Sequence, residues 1–164
     1  MFYGLLLQSM KSYLLYIAWF CALAGTVTSL YFSEVLKFAP CELCWIQRIC
    51  LYPLTVILLI AMLRRDYKVY LYALPLTIIG GLVAFYHVLL NAGVIAENLA
   101  PCRLGVSCTT KYFEFFGFIN IPFLSLMAFL LIGVCMVWIA KLENKKTKNK
   151  KTLEVRGKKK IRVN

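Results

Sequence analysis

An all-α membrane protein, built as an antiparallel bundle of four transmembrane helices with two extracytoplasmic dithiol loops, is the fold class that this sequence predicts. Three observations carry the prediction. Of 164 residues 62% are hydrophobic, and the mean hydropathy is +0.75, more apolar surface than a soluble core of that length can hide. The apolar residues gather into four runs, at about 13–32, 45–63, 69–90 and 118–140, each near the roughly 20 residues that a 30 Å hydrocarbon layer demands of a helix. The basic residues crowd into alternate connections.

The first run, Tyr13 to Phe32, follows Lys11 and contains the small residues of Ala22-Leu23-Ala24-Gly25, so a cleaved signal segment is the alternative to a permanent span. Its apolar core continues past Gly25 through Val27, Leu30 and Phe32, longer than the roughly 7 to 15 residues of a signal core, and an uncleaved span is expected. The second run, Trp45 to Leu63, opens just after Cys41-Glu42-Leu43-Cys44 and carries Pro53. The turn from Arg64 to Lys68 is so short that spans two and three must be antiparallel neighbours, and four such helices pack most simply as a bundle. Pro75 and Gly80-Gly81 in the third run predict a kink or a close backbone approach there. The connection from Ala92 to Gly117 holds Cys102 and Cys108, and the fourth run, Phe118 to Ala140, follows it.

The organisation is therefore a transmembrane domain over 1–140 and a basic tail over 141–164. From Lys141 onward there are eleven Lys or Arg residues against two acids, in runs such as Lys158-Lys159-Lys160. Such composition predicts a disordered segment drawn to anionic headgroups of the lipid bilayer. The net charge of +12 is mostly this tail, and with no aromatic interleaving or reading motif beside it no nucleic-acid partner is expected.

Charge also predicts orientation. Lys11, the Arg64, Arg65 and Lys68 turn, and the eleven basic residues of the tail outweigh Lys37, Arg48, Arg103 and Lys111 in the other two connections. The positive-inside rule then places both termini in the cytoplasm and both dithiol loops outside a bacterial cell membrane, where disulfides persist. Cys21, Cys50 and Cys135 fall inside spans and are expected to be packing residues.

The candidate chemistry lies at the extracytoplasmic ends. With a helix starting near Cys44, Gln47 and Arg48 stand three and four residues on and share its face. A thiol at a helix N-terminus, near a guanidinium, is favoured as thiolate, so the Cys41/Cys44 pair is expected to be activated. An arginine one turn into the hydrocarbon layer either snorkels or holds a partly negative oxygen. His87, the one histidine, falls at the depth of Arg48, where with Asn91 one turn further it either is a satisfied polar residue or lines the same site and moves protons. Cys102 and Cys108 enclose five residues with Gly105 among them, so they can close through a turn into a small, exchangeable disulfide or a loop staple.

Read together, Cys41-Glu42-Leu43-Cys44-Trp45-Ile46-Gln47-Arg48, followed by Tyr52-Pro53, resembles the C-x-L-C-x-x-Q-R signature of the disulfide-bond-formation protein B family, the membrane thiol:quinone oxidoreductases. His87-Val88-Leu89-Leu90, the closely spaced second pair and Ile121-Pro122-Phe123 resemble the short Gram-positive branch of that family. The likeness covers roughly Ala18 to Ala140 and not the lysine-rich tail. It implies an electron path in which an extracytoplasmic thioredoxin-like thiol oxidase, once reduced, attacks the Cys102/Cys108 disulfide. Cys41/Cys44 regenerates that disulfide, and Cys44 passes two electrons to the membrane quinone pool, menaquinone or ubiquinone. The resemblance further implies that Arg48, with Gln47 and His87 nearby, binds the quinone, and that no metal takes part. Two departures stand out: Asn91 replaces the Gln of many relatives, and the second pair is closer than in the Gram-negative branch.

Energetics explain the need for such an acceptor. A strongly oxidising thioredoxin-like partner sits near about −120 mV and an ordinary dithiol near about −270 mV, a gap of roughly 7 kcal/mol uphill. Two other readings remain open: a metal protein in which four outward cysteines make a thiolate site, and a quinone reductase resembling the vitamin K epoxide reductases. The second family places its C-x-x-C in a late helix, whereas here the motif opens span two.

Overall fold

The computed structural model describes residues 2–95 and 120–161. Four helices build it: α1 (Phe2–Glu34), α2 (Glu42–Arg64), α3 (Tyr70–Asn91) and α4 (Ile121–Ile161). Each contains a stretch long and apolar enough to cross a membrane, at Leu6–Glu34, Glu42–Arg64, Tyr67–Asn91 and Ile121–Lys145. The chain is thus an all-α, four-span membrane protein.

The helices stand in a ring in chain order, α1 against α2, α2 against α3, α3 against α4, and α4 back against α1. Inside it lie Leu15, Leu54, Leu58, Phe129, Ile132, Met136 and Ile139, each almost fully buried, with Ala18, Ala22, Ala73 and Ala84 letting the backbones approach. Gly80 has a specific task there. A Cβ at that position would come 2.4 Å from the Phe129 ring, so only glycine admits the aromatic, whereas a Cβ on Gly81 would meet Phe129 at an ordinary 3.6 Å. Leu63, Leu82 and Trp138 point outward and stay exposed, as side chains facing lipid do. Pro53 and Pro75 lie inside α2 and α3, which run on as helix past both. Cys50 and Cys135 are buried core residues, and Cys21 packs beside them.

The sharp turn after α2 is made by Arg65, held left-handed at φ 52°, and the amides of Arg65 and Asp66 close on the carbonyls of Met62 and Ala61. Asp66 then accepts from the Lys68 amide at 2.9 Å and starts a 3-10 turn, Tyr67–Val69, that leads into α3.

Two features differ from the hydropathy reading. Lys11, expected ahead of the first span, is inside α1 and 3% exposed. It is ion-paired with Glu143 of α4 and sits 5.5 Å above the Tyr67 ring, which makes burial of its charge tolerable. The segment for which composition predicts disorder continues α4 as helix to Ile161. A span already nucleated in the bilayer extends at low cost through Lys, Glu and Leu, all good helix formers.

Candidate functional site

The site begins where α2 begins. Pro40 precedes Cys41, whose extended backbone (φ −73°, ψ 170°) stops the helix from starting earlier. Cys41 is the N-cap, and its Sγ accepts from the Cys44 amide at 3.4 Å. The helix therefore starts at Glu42, ahead of the Cys44 start that the hydropathy suggests, and Cys41 is the sulfur that meets the free N–H groups of its first turn. Leu43 is the reason for this register, since it is buried against Leu90 at the end of α3 and pins the motif there.

The two sulfurs lie 2.8 Å apart as free thiols. Cys41 is buried and Cys44 half-buried. Hydrogen bonding to the Cys44 thiol is the largest influence on Cys41, with burial opposing it and His87 and the Cys44 amide adding to it. The Cys41 thiol is lowered to about 4. In the reduced pair Cys41 is therefore the sulfur favoured as thiolate.

His87 reaches the pair from α3. Its Nε2 is 3.9 Å from the Cys41 Sγ and its Nδ1 is 3.2 Å from the Gln47 amide nitrogen. An amide nitrogen only donates, so Nδ1 accepts, and the ring proton stands on Nε2, facing Cys41. Gln47 and His87 are both buried, at 7% and 3% exposure, which strengthens the bond that sets this orientation. Asn91, one turn beyond, donates to the His87 carbonyl at 3.3 Å.

Arg48 is held against α1. Its guanidinium donates to the Ser29 carbonyl at 3.1 Å and to the Ser33 hydroxyl, both on α1, and lies 5.6 Å from the Trp45 ring. The same face of α1 carries Thr26, whose hydroxyl bonds Thr55 at 2.9 Å, and Ser29, whose hydroxyl accepts from Tyr52 at 3.4 Å. Ser29 and Ser33 were not singled out from sequence. The spacing Thr26, Ser29, Ser33 puts three hydroxyls on one stripe of an apolar span, a signal that was available.

Cys41, Cys44, Gln47, Arg48, His87 and Asn91 all border one cavity of about 960 Å3. Most of the remaining wall is apolar, from Tyr16 and Phe20 on α1 to Leu124, Met127, Ala128 and Leu131 on α4, and it takes in Cys21 as well. Two further lining residues, Trp19 and Asn120, carry a buried polar atom, Nε1 and Oδ1, without a hydrogen-bond partner among the described residues. Cys102 and Cys108 lie outside the described residues.

Comparison with known proteins agrees in one direction. The family profile for Disulfide bond formation protein DsbB matches residues 10–139. The chain is 48% identical over 122 residues to "Disulfide bond formation protein C" of Bacillus subtilis (strain 168), covering 74% of this chain and 88% of the relative. It is 46% identical over 127 residues to a "Probable disulfide formation protein" of Metapseudomonas resinovorans, covering 77% and 88%. A "Probable disulfide formation protein C 1" of Bacillus anthracis is 42% identical over 135 residues, covering 82% and 96%. No solved structure matches significantly. The profile spans all four membrane helices and the whole Cys41 to Arg48 motif, and the chain, a multi-pass membrane protein, belongs to the DsbB family of disulfide bond formation proteins.

Proposed function

We propose that this protein is a membrane thiol:quinone oxidoreductase that reoxidises a thioredoxin-like thiol oxidase on the extracytoplasmic side and so sustains disulfide formation in exported proteins. The observation that carries the reading is a close pair of cysteines, Cys41 and Cys44, with Cys41 capping a helix beside His87, opening onto a largely apolar cavity with Arg48 held in its wall.

The electrons balance at every exchange. A partner dithiol gives two electrons and two protons to the Cys102/Cys108 disulfide, that dithiol passes them to the Cys41/Cys44 disulfide, and re-forming the Cys41–Cys44 bond releases two electrons and two protons. The residues fit a quinone as the acceptor. A cavity of about 960 Å3 has room for a flat ring, its largely apolar walls suit an isoprenoid substituent, the Trp19 Nε1 donor is what a quinone carbonyl would satisfy, and the Asn120 Oδ1 acceptor is what a quinol hydroxyl would satisfy. Bound there, a quinone supplies the acceptor for two electrons and two protons. Arg48, clamped by Ser29 and Ser33, keeps a positive charge at the cavity wall where negative charge develops. His87, oriented by Gln47, presents Nε2–H to Cys41 and holds its thiolate in place while the pair is reduced.

The test is to purify the protein with a defined thiol state, add a reduced thioredoxin-like oxidase and follow quinone absorbance. Quinone reduction by the wild type that disappears in Cys44→Ser supports the relay. No reduction with menaquinone or ubiquinone sinks it.

A further inference from the structure

We propose that Cys41, Cys44 and His87 form a capture site for a thiophilic divalent cation of the zinc class, one that exists only while the pair is reduced. Two thiol sulfurs and a ring nitrogen lie within 4.8 Å of one another, contributed by the N-terminus of α2 and the end of α3. A tetrahedral ion with bonds of about 2.3 Å to sulfur and about 2.0 Å to nitrogen spaces its ligand atoms about 3.6 to 3.8 Å apart. The edge from Cys41 Sγ to His87 Nε2 is already 3.9 Å. The edge between the sulfurs is 2.8 Å and must open by about 1 Å, which Cys44, half-buried at the cavity wall, can supply by a side-chain adjustment.

The chemistry of the set favours such an ion. Each sulfur binds as thiolate, and any proton it gives up goes to water. Two thiolates and a neutral imidazole cancel a dication, so the centre carries no net charge into apolar surroundings. His87 also has its outer partner in place: when Nε2 takes the metal the ring proton moves to Nδ1, and the Gln47 amide, 3.2 Å away, needs only to turn its oxygen toward it. The cavity leaves the fourth position open to water.

The disulfide offers no thiolate, so capture follows redox state. A bound cation would hold the pair reduced and withhold it from reoxidation, making the resting dithiol the metal-sensitive form of the protein. This inference does not depend on quinone being the acceptor, because its readout is metal binding.

The experiment uses full-length protein in nanodiscs carrying Cys102→Ser and Cys108→Ser, which leaves Cys41 and Cys44 as the loop dithiol. Zinc is titrated against a competing chelator, and cadmium is added separately to read thiolate ligation by its ultraviolet charge-transfer band. Expected are one zinc per reduced protein and none per oxidised protein, loss of the site in Cys41→Ser, a tenfold or greater rise in Kd in His87→Ala, and no change in Cys21→Ser. Should His87→Ala lose its fold, the cadmium NMR shift of the protein with His87 intact reads the same ligand set, and a mixed sulfur and nitrogen shift supports the site. Equal zinc binding by reduced and oxidised protein, binding unmoved by Cys41→Ser, or no binding by the reduced protein overturns it.

Discussion

The two ends of the bundle hold polar groups in opposite ways. At the basic end, Lys11 meets Glu143, Tyr67 lies beneath the Lys11 ammonium, and the Tyr67 hydroxyl meets Ser12 at 2.8 Å. Those groups are used up on one another, and they tie α1, α4 and the start of α3 together. At the dithiol end the polar groups are held by neighbours yet border open volume: Arg48 on Ser29 and Ser33, His87 on Gln47, and Cys41 on the helix it caps. The first arrangement closes a bundle and the second positions chemistry. Burial of a charge in a membrane helix is therefore not by itself a sign of function, since Lys11 is more deeply buried than Gln47, at 3% against 7%.

The comparison breaks most visibly at the cysteines. Cys44→Ser is expected to abolish turnover, by 10³-fold or more, while leaving thermal stability within about 1 kcal/mol, because a hydroxyl replaces a half-buried thiol in the same space. The check is the oxidase assay paired with a thermal melt in the same detergent. Unchanged turnover would remove the Cys41/Cys44 pair from the proposed path.

Arg48→Lys comes next. Lysine keeps the charge and loses the rigid planar guanidinium, one terminal nitrogen of which meets both the Ser29 carbonyl and the Ser33 hydroxyl, so the charge is held less firmly at the cavity wall. A rise in the KM for quinone of about 10- to 100-fold is expected, with a smaller change in kcat. Steady-state kinetics against quinone concentration separate the two, and an unaltered KM would reduce Arg48 to a helix tie like Lys11.

Lys11→Met tests the other end. It strands Glu143, 21% exposed, and is expected to cost about 1 to 3 kcal/mol, with turnover of the folded fraction unchanged. Lys11→Met combined with Glu143→Leu is expected to recover most of that loss. Lost turnover in the stable double variant would show that the basic end is coupled to the dithiol end after all.

These pairings also mark what was legible in the sequence. The spans were, because four apolar runs with charged breaks have few other readings in a chain of 164 residues. So was the grouping of Cys41, Cys44, Gln47 and Arg48, which about two helical turns bring together, and His87 joined them by depth alone. The anchors were not. Ser33 meets Arg48 from 15 residues away and Glu143 meets Lys11 from 132 away, and no local periodicity encodes a contact that exists only once helices pack. The start of α2 was missed for a related reason: a cysteine is an unusual N-cap, and its burial against α3 helps to fix it there.

The smallest expected effect is a near absence of one. For a thiol of ordinary acidity, pKa about 8.5, the alkylation rate falls on the order of 10³-fold between pH 8 and pH 5 as its thiolate disappears. Cys41, lowered to about 4, remains mostly thiolate over that whole range, so its rate of alkylation by a small reagent, followed by peptide mapping, is expected to change by less than about twofold. The sign carries over to stability. Because the folded value lies below the ordinary one, the contribution to the reduced protein is fully present above the ordinary value and is lost as pH falls through about 4. Replacing Gln47 by Leu frees the His87 ring to turn its proton away from Cys41, and part of the ordinary pH dependence is expected to return. If the rate in the wild type already tracks an ordinary thiol, the cap, the Cys44 thiol and His87 do not act on Cys41 as their distances imply, and the contrast between the two ends rests on Arg48 alone.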